Sequence, residues 1–143
     1  MRPRCSAAAA YAADRKKVLK ELLRLKARRE ARLRRLLAQV SRDERQNEAN
    51  AREGDAQLAR LARTRHAMLS WRGRATVGDM GRRAREMQGV LRGVYALNEE
   101  RCRLRQTRAL LEERRRALQQ ARVTLMKQQE KLTLVLTDDG YQN

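Results

Sequence analysis

Between Val90 and Leu132, every seventh residue is a large aliphatic: Val90, Leu97, Leu104, Leu111, Leu118, Leu125 and Leu132. A repeat of seven is two turns at about 3.5 residues per turn, so these side chains fall in one stripe along one continuous helix. No proline interrupts the stretch, and its only glycine is Gly93. A two-helix seam also needs a second apolar position, three or four residues from the first. Four residues after each stripe residue the chain reads Val94, Arg101, Arg108, Arg115, Arg122, Gln129 and Leu136. The pattern predicts a thin seam, apolar at its ends and half arginine in its middle.

The first half of the chain carries another helical pattern. Ser6 is a favoured N-cap type and reads as opening a helix that meets no breaker until Gly54. Spacings of three and four through Val18, Leu22 and Leu25, then Leu33, Leu36, Leu37 and Val40, suit one helix face. Residues 41–50, SRDERQNEAN, have Ala49 as their only apolar side chain, which predicts looseness near residues 41–55 rather than a break. Gly54 adds a cost of about 1 kcal/mol against alanine in a helix interior. Apolar spacing resumes at Leu58, Leu61, Ala62, Met68 and Leu69.

Between the two patterns lies WRGRATVGDMG, residues 71–81, with Gly73, Gly78 and Gly81. Clustered glycine is strong punctuation and lets a chain reverse. Asp79 suits the N-cap of the following helix. The expected organisation is one domain over residues 1–143: helix one over 6–70, a turn over 71–81, helix two over 82–136, and a frayed tail over 137–143, TDDGYQN. At a 1.5 Å rise per residue each arm would be about 80 Å long. The fold expected is therefore all-α, an elongated antiparallel two-helix coiled-coil hairpin with its termini together. In that register Leu104 and Arg108 lie opposite Glu48 and Glu44, so Asp43, Glu44, Glu48 and Glu53 would face the arginines of the seam. A parallel homodimer would set Arg101, Arg108, Arg115 and Arg122 against their own copies, and like charges stacked in a seam are destabilising. A monomer is expected over a homodimer.

Composition agrees with long helices and removes other classes. The chain has 143 residues, 36% of them charged, with no Phe, one Trp and one Pro. With 3% aromatics it lacks the side chains that carry most buried area in a globular core. The net charge is +18 and is densest over residues 15–35, where eleven basic side chains stand against Glu21 and Glu30. Such a field attracts polyanions: nucleic acid, an anionic surface or an acidic protein. Cys5 and Cys102 are neither a metal pair nor a disulfide framework, and read as small helix residues in a reducing compartment. No transmembrane span is expected; residues 5–13 are short, alanine-rich and read as helix, not as a signal peptide.

Catalytic chemistry is not apparent. His66 is the only histidine and reads as a surface residue. No Cys cluster, second His or spaced carboxylates offer a metal site. The glycines of residues 71–81 follow no strand and lack the Lys-Ser/Thr ending of a phosphate loop. Ser6, Ser41 and Ser70 have no His/Asp company. No catalytic residue, cofactor or metal is expected, and the chain reads as a binding protein rather than an enzyme.

Two binding classes follow. One is a basic coiled-coil nucleic-acid-binding protein, with arginines on phosphates; no known motif supports it, stacking aromatics are nearly absent, and non-specific binding is expected of any chain this basic. The other is a helical partner protein, either a homodimeric coiled-coil adaptor or a rod that engages an acidic assembly. Two long charged helices, a short glycine-bearing turn and segments such as ARREARLRRLLAQ (27–39) and LLEERRRALQQAR (110–122) resemble one family. It is the stalk proteins of type III secretion export machinery, FliJ-like in flagella and YscO-type in injectisomes. The style looks most like members from Hrp systems.

The resemblance implies a cytoplasmic bacterial protein, peripheral to a secretion apparatus. It implies a stalk with one end in a hexameric export ATPase ring and the other toward the export gate. The paired termini would sit in the ring, with Arg24, Arg28, Arg29, Arg32, Arg34 and Arg35 as contacts to acidic loops. The turn would point to the gate, with Trp71 and Met80 as contacts, although Trp71 can equally cap the two-helix core. The weak section at residues 41–50 departs from the stiffness a torque-bearing rod needs.

Overall fold

The computed structural model describes residues 2–74 and 76–141, and side chains from residue 7 to residue 138 apart from that of residue 75. Two helices account for almost all of it: α1 is Arg2–Ser70 and α2 is Val77–Tyr141. They pack against each other as an all-α helical hairpin. The boundaries differ from expectation in three places. The helix α1 starts at Arg2, upstream of Ser6, so Ser6 is not its N-cap. Pro3 is accommodated because the N–H it lacks would have no intrahelical partner in a first turn. At the other junction, Gly78 and Gly81 belong to α2, which begins at Val77. Finally, α2 continues through residues 137–141, and only residues 142 and 143 of the expected frayed tail lie outside the description.

The weak section stays helical because it bonds to itself. Arg52 pairs with Glu48 at 2.8 Å, Gln46 donates to Asn50 at 3.0 Å, and Arg45 Nε reaches the Ser41 carbonyl at 3.4 Å. All are four residues apart, the spacing that brings side chains together on one helix face. Each exposed side-chain pair contributes about 0.2–0.5 kcal/mol, which adds to the support this section gains from α2 through Asn47.

The chain divides into two units, Met1–Val40 with Glu113–Asn143, and Ser41–Glu112. In the first unit, α1 turns Leu19, Leu23, Lys26, Glu30, Leu33, Leu37 and Val40 inward. Their spacing alternates four and three, the signature of a two-helix seam. From α2, Leu118, Leu125 and Leu132 meet them, with Arg115, Arg122, Gln129 and Leu136 at the alternate positions. Val40 is 1% exposed and Leu125 6%. Lys26 Nζ donates to Gln128 Oε1 at 2.7 Å across this seam. One expectation is corrected here. Val18, Leu22 and Leu25 are 58%, 39% and 47% exposed and face away from α2. The residues beside them, Leu19 and Leu23, take the inward positions, because the register set from Leu33 to Val40 runs back through them.

In the second unit, Val90 is buried and Leu97, Leu104 and Leu111 are half-buried. Opposite them α1 supplies Leu58, Leu61 and Met68 toward the turn, but Glu44, Asn47, Ala51 and Gly54 further along. Asn47 is itself buried and donates Nδ2 to the Leu104 carbonyl at 3.0 Å. A buried amide left without a partner costs about 1–3 kcal/mol, so this bond favours the observed pairing over one that strands it. The seam arginines Arg101 and Arg108 are exposed at the rim. Arg101 pairs with Asp55 across the helices at 3.7 Å. The expected facing of acidic residues and seam arginines is thus only partly realised. Glu48 and Glu53 bond Arg52 and Arg60 of their own helix, and Arg108 bonds Glu112 of its own.

The two seam glycines test this packing. A Cβ built on Gly54 meets nothing, whereas one on Gly93 would lie 3.0 Å from Leu61 Cδ1. Gly54→Ala should therefore stabilise the fold by about 0.5–1 kcal/mol. Gly93→Ala should gain clearly less, because Leu61 must shift. Urea denaturation followed by far-UV circular dichroism compares the two directly.

Candidate partner-binding surfaces

The turn of the second unit is locked by a capping box. Thr76 is the N-cap of α2: its carbonyl accepts from Met80 N–H at 3.0 Å, and its hydroxyl accepts from Asp79 N–H at 3.2 Å. The Asp79 carboxylate accepts in return from Thr76 N–H at 3.2 Å. Two otherwise unpaired backbone donors are satisfied reciprocally. The expected cap, Asp79, is thus the third helical residue, and Thr76 is the cap. Asp79 also holds the Arg82 guanidinium. The bonds from Thr76 come first among the causes that hold the Asp79 carboxyl below the ordinary value of 3.8, with those from Arg82 and the charge of Arg83 behind them.

Trp71 sits beside this cap. The Arg83 guanidinium stacks over its indole, 3.2 Å from the ring centroid. A Cβ on Gly73 would fall 2.5 Å from the indole, so this position needs glycine for the ring to lie where it does. Trp71 remains 42% exposed, and Met80 is 63% exposed. Leu69 and Val77 are also exposed. The turn therefore offers several uncovered apolar side chains among Arg72, Arg74, Arg82 and Arg83. The Arg83–Trp71 stack and the Thr76 cap were both missed from the sequence; only the cap had a local signal, Thr-x-x-Asp.

The first unit carries 19 basic and 7 acidic residues, the second 16 and 10. Arg24, Arg28, Arg29, Arg32, Arg34 and Arg35 are all exposed on the first. Arg34 pairs with Glu30 at 2.7 Å and Arg24 with Glu21 at 3.7 Å. Among the described residues, Arg28, Arg29, Arg32 and Arg35 have no ion pair. Trp71 and Met80 lie in the other unit, so the residues singled out from sequence form two surfaces, not one site.

A third feature is a cleft of about 340 Å³ in the second unit, where Ala51 and Asn47 leave the seam unfilled. Its walls set Glu44, Glu48 and Asp55 against Arg101, Arg105 and Arg108. It carries no nucleophile–base pair. His66 is exposed, with Ser70 Oγ 3.5 Å from its Nε2, and Cys102 is exposed; Cys5 lies outside the described side chains. Among the described residues, no group of His, Cys, Asp or Glu is arranged to hold a metal ion. No helix among them is long and apolar enough to cross a membrane.

Comparison with protein families decides between the binding classes. Residues 19–143 match the family described as secretion system apparatus protein SsaO. The chain belongs to this family. It is accordingly a component of a type III secretion apparatus. Comparison with curated proteins and with solved structures gives no match. The SsaO match spans most of α1 and all of α2, so it covers both the basic unit and the turn.

The cap gives a prediction with a definite sign. Asp79 is depressed on folding, so its contribution is complete above 3.8 and is lost as pH falls through its lower folded value. Asp79→Asn should flatten that acid-side loss of stability, and Thr76→Ala should cost about 1 kcal/mol at neutral pH. Denaturation midpoints across an acidic pH series check both.

Proposed function

We propose that this SsaO-family protein is a non-enzymatic coiled-coil stalk of the secretion apparatus, binding its hexameric export ATPase and coupling it to the export gate. One observation supports this most: the first unit sets the basic stretch of α1 beside the last stretch of α2, with exposed arginines at 28, 29, 32 and 35 that have no ion pair among the described residues. Charge arranged this way steers and orients an acidic partner. In this reading Arg24 and Arg34, held by Glu21 and Glu30, are released or shared on binding. The turn, with exposed Trp71 and Met80, is the surface offered to the gate. The protein does no chemistry; it transmits torque or asymmetry from the ATPase. The arginine- and alanine-rich segments favour an Hrp-type member, acting as a monomer in the cytoplasm. Nucleic acid is bound only through charge.

The purified protein should stimulate a cognate export ATPase. Reversing Arg28, Arg29, Arg32 and Arg34 to Glu should abolish stimulation while helicity by circular dichroism persists. Retained stimulation would remove the basic unit as the contact. Stimulation by neither form would remove the ATPase as the partner.

A further inference from the structure

We infer that the outer side of the first unit is an acceptor groove for a third helix, an acidic amphipathic helix of a partner protein. As an account of how the basic unit meets its partner, it rests on the function proposed above. The groove itself rests on packing. The helix α1 carries two stripes, and α2 covers one of them. The other runs through Val18, Leu22, Leu25, Arg29, Arg32 and Leu36, spaced alternately four and three. That alternation is what a helix needs to pack along a second helix. Its first three members are large, apolar and exposed, and none of the described residues covers them.

The facing wall comes from α2. Ala117, Ala121, Thr124 and Gln128 follow the same alternation, and together with Arg29, Arg32 and Leu36 they line one open, mostly apolar groove. Ala117, Ala121 and Thr124 on one wall let a helix approach closely, Leu36 supplies apolar contact on the other, and Val18, Leu22 and Leu25 continue the exposed α1 stripe beyond the groove. Arg29 and Arg32 stand in the α1 wall with no ion pair among the described residues. A helix laid here places its flanking positions against these two guanidiniums, so carboxylates at those positions are favoured and cations rejected. A second copy of this chain offering the same face would oppose arginine to arginine, which disfavours self-association through the groove.

The test uses the full-length protein and two labelled synthetic peptides, each about three heptads long. One has leucines at heptad spacing flanked by glutamates; the other has the same composition in scrambled order. Fluorescence anisotropy at physiological salt should show the patterned peptide binding at least about tenfold tighter than the scrambled one. The double variant Leu22→Ser, Leu25→Ser and the single variant Ala121→Trp should each weaken the patterned peptide about tenfold with unchanged circular dichroism. Equal binding of both peptides, binding of neither, or variants without effect would overturn the groove. So would sedimentation showing a wild-type dimer that the Leu22→Ser, Leu25→Ser variant dissolves, since a second copy would then be the occupant. ATPase stimulation that persists without preference for the patterned peptide would sink the groove alone. Patterned binding without stimulation would leave the groove and sink the ATPase reading.

Discussion

A helix has one stripe to give a single partner, and in this chain the middle of the stripe that α2 gives, from Leu97 to Arg122, is half arginine. The structure follows from how that mismatch is met within each unit. In the second unit, Arg101 and Arg108 swing to the rim, and α1 answers with Glu44, Asn47, Ala51 and Gly54 in place of leucine. The Asn47 amide then bonds the Leu104 carbonyl across the seam, where apolar packing is thin. In the first unit leucines meet leucines, and Val40 and Leu125 are the best-buried side chains. Even there the mismatch shows: Arg122 keeps its Nε buried without a hydrogen-bond partner among the described residues. Such a group costs about 1–3 kcal/mol of lost solvation. These arginines oppose a parallel pairing of two copies, where each would meet itself, more than they oppose pairing with an acidic or small counterpart.

The same seam decides what is left for function. A two-helix interface buries little, so large side chains outside the two inward stripes stay uncovered. Val18, Leu22 and Leu25 do so on the first unit, and Leu69, Trp71, Val77 and Met80 at the turn of the second. Both groups sit among arginines. Exposed apolar groups rimmed by one sign of charge mark surfaces made to be covered. Membership of the SsaO family, a type III secretion apparatus component, supplies the setting in which such surfaces find partners.

The heptad of α2 could be read from the sequence because leucine marks it without interruption. The stripe of α1 could not, because that helix carries two apolar stripes side by side. Leu19 and Leu23 lie next to Val18, Leu22 and Leu25, and only the partner helix selects between them. Polar seam residues such as Lys26, Glu30 and Asn47 look like solvent-facing ones until their packing is seen. At the turn, glycine suggested a longer loop than exists. Glycine weakens a helix without forbidding it, and the Thr76–Asp79 capping box fixes the start of α2 upstream of Gly78 and Gly81. The basic surface could be located by counting charges, but the groove beside it could not. Its second wall lies more than eighty residues away, at Ala117, Ala121 and Thr124.

The central claim is that this charge-laced seam closes within one chain. It is tested most directly by cross-linking Lys26→Cys to Gln128→Cys, whose native side chains touch at 2.7 Å, in a protein whose Cys5 and Cys102 are replaced by serine. Treatment with a short bis-maleimide should give a linked monomer at every protein concentration, recognised by mass after proteolysis. Linked dimers that increase with concentration, at the expense of the internally linked chain, would contradict it.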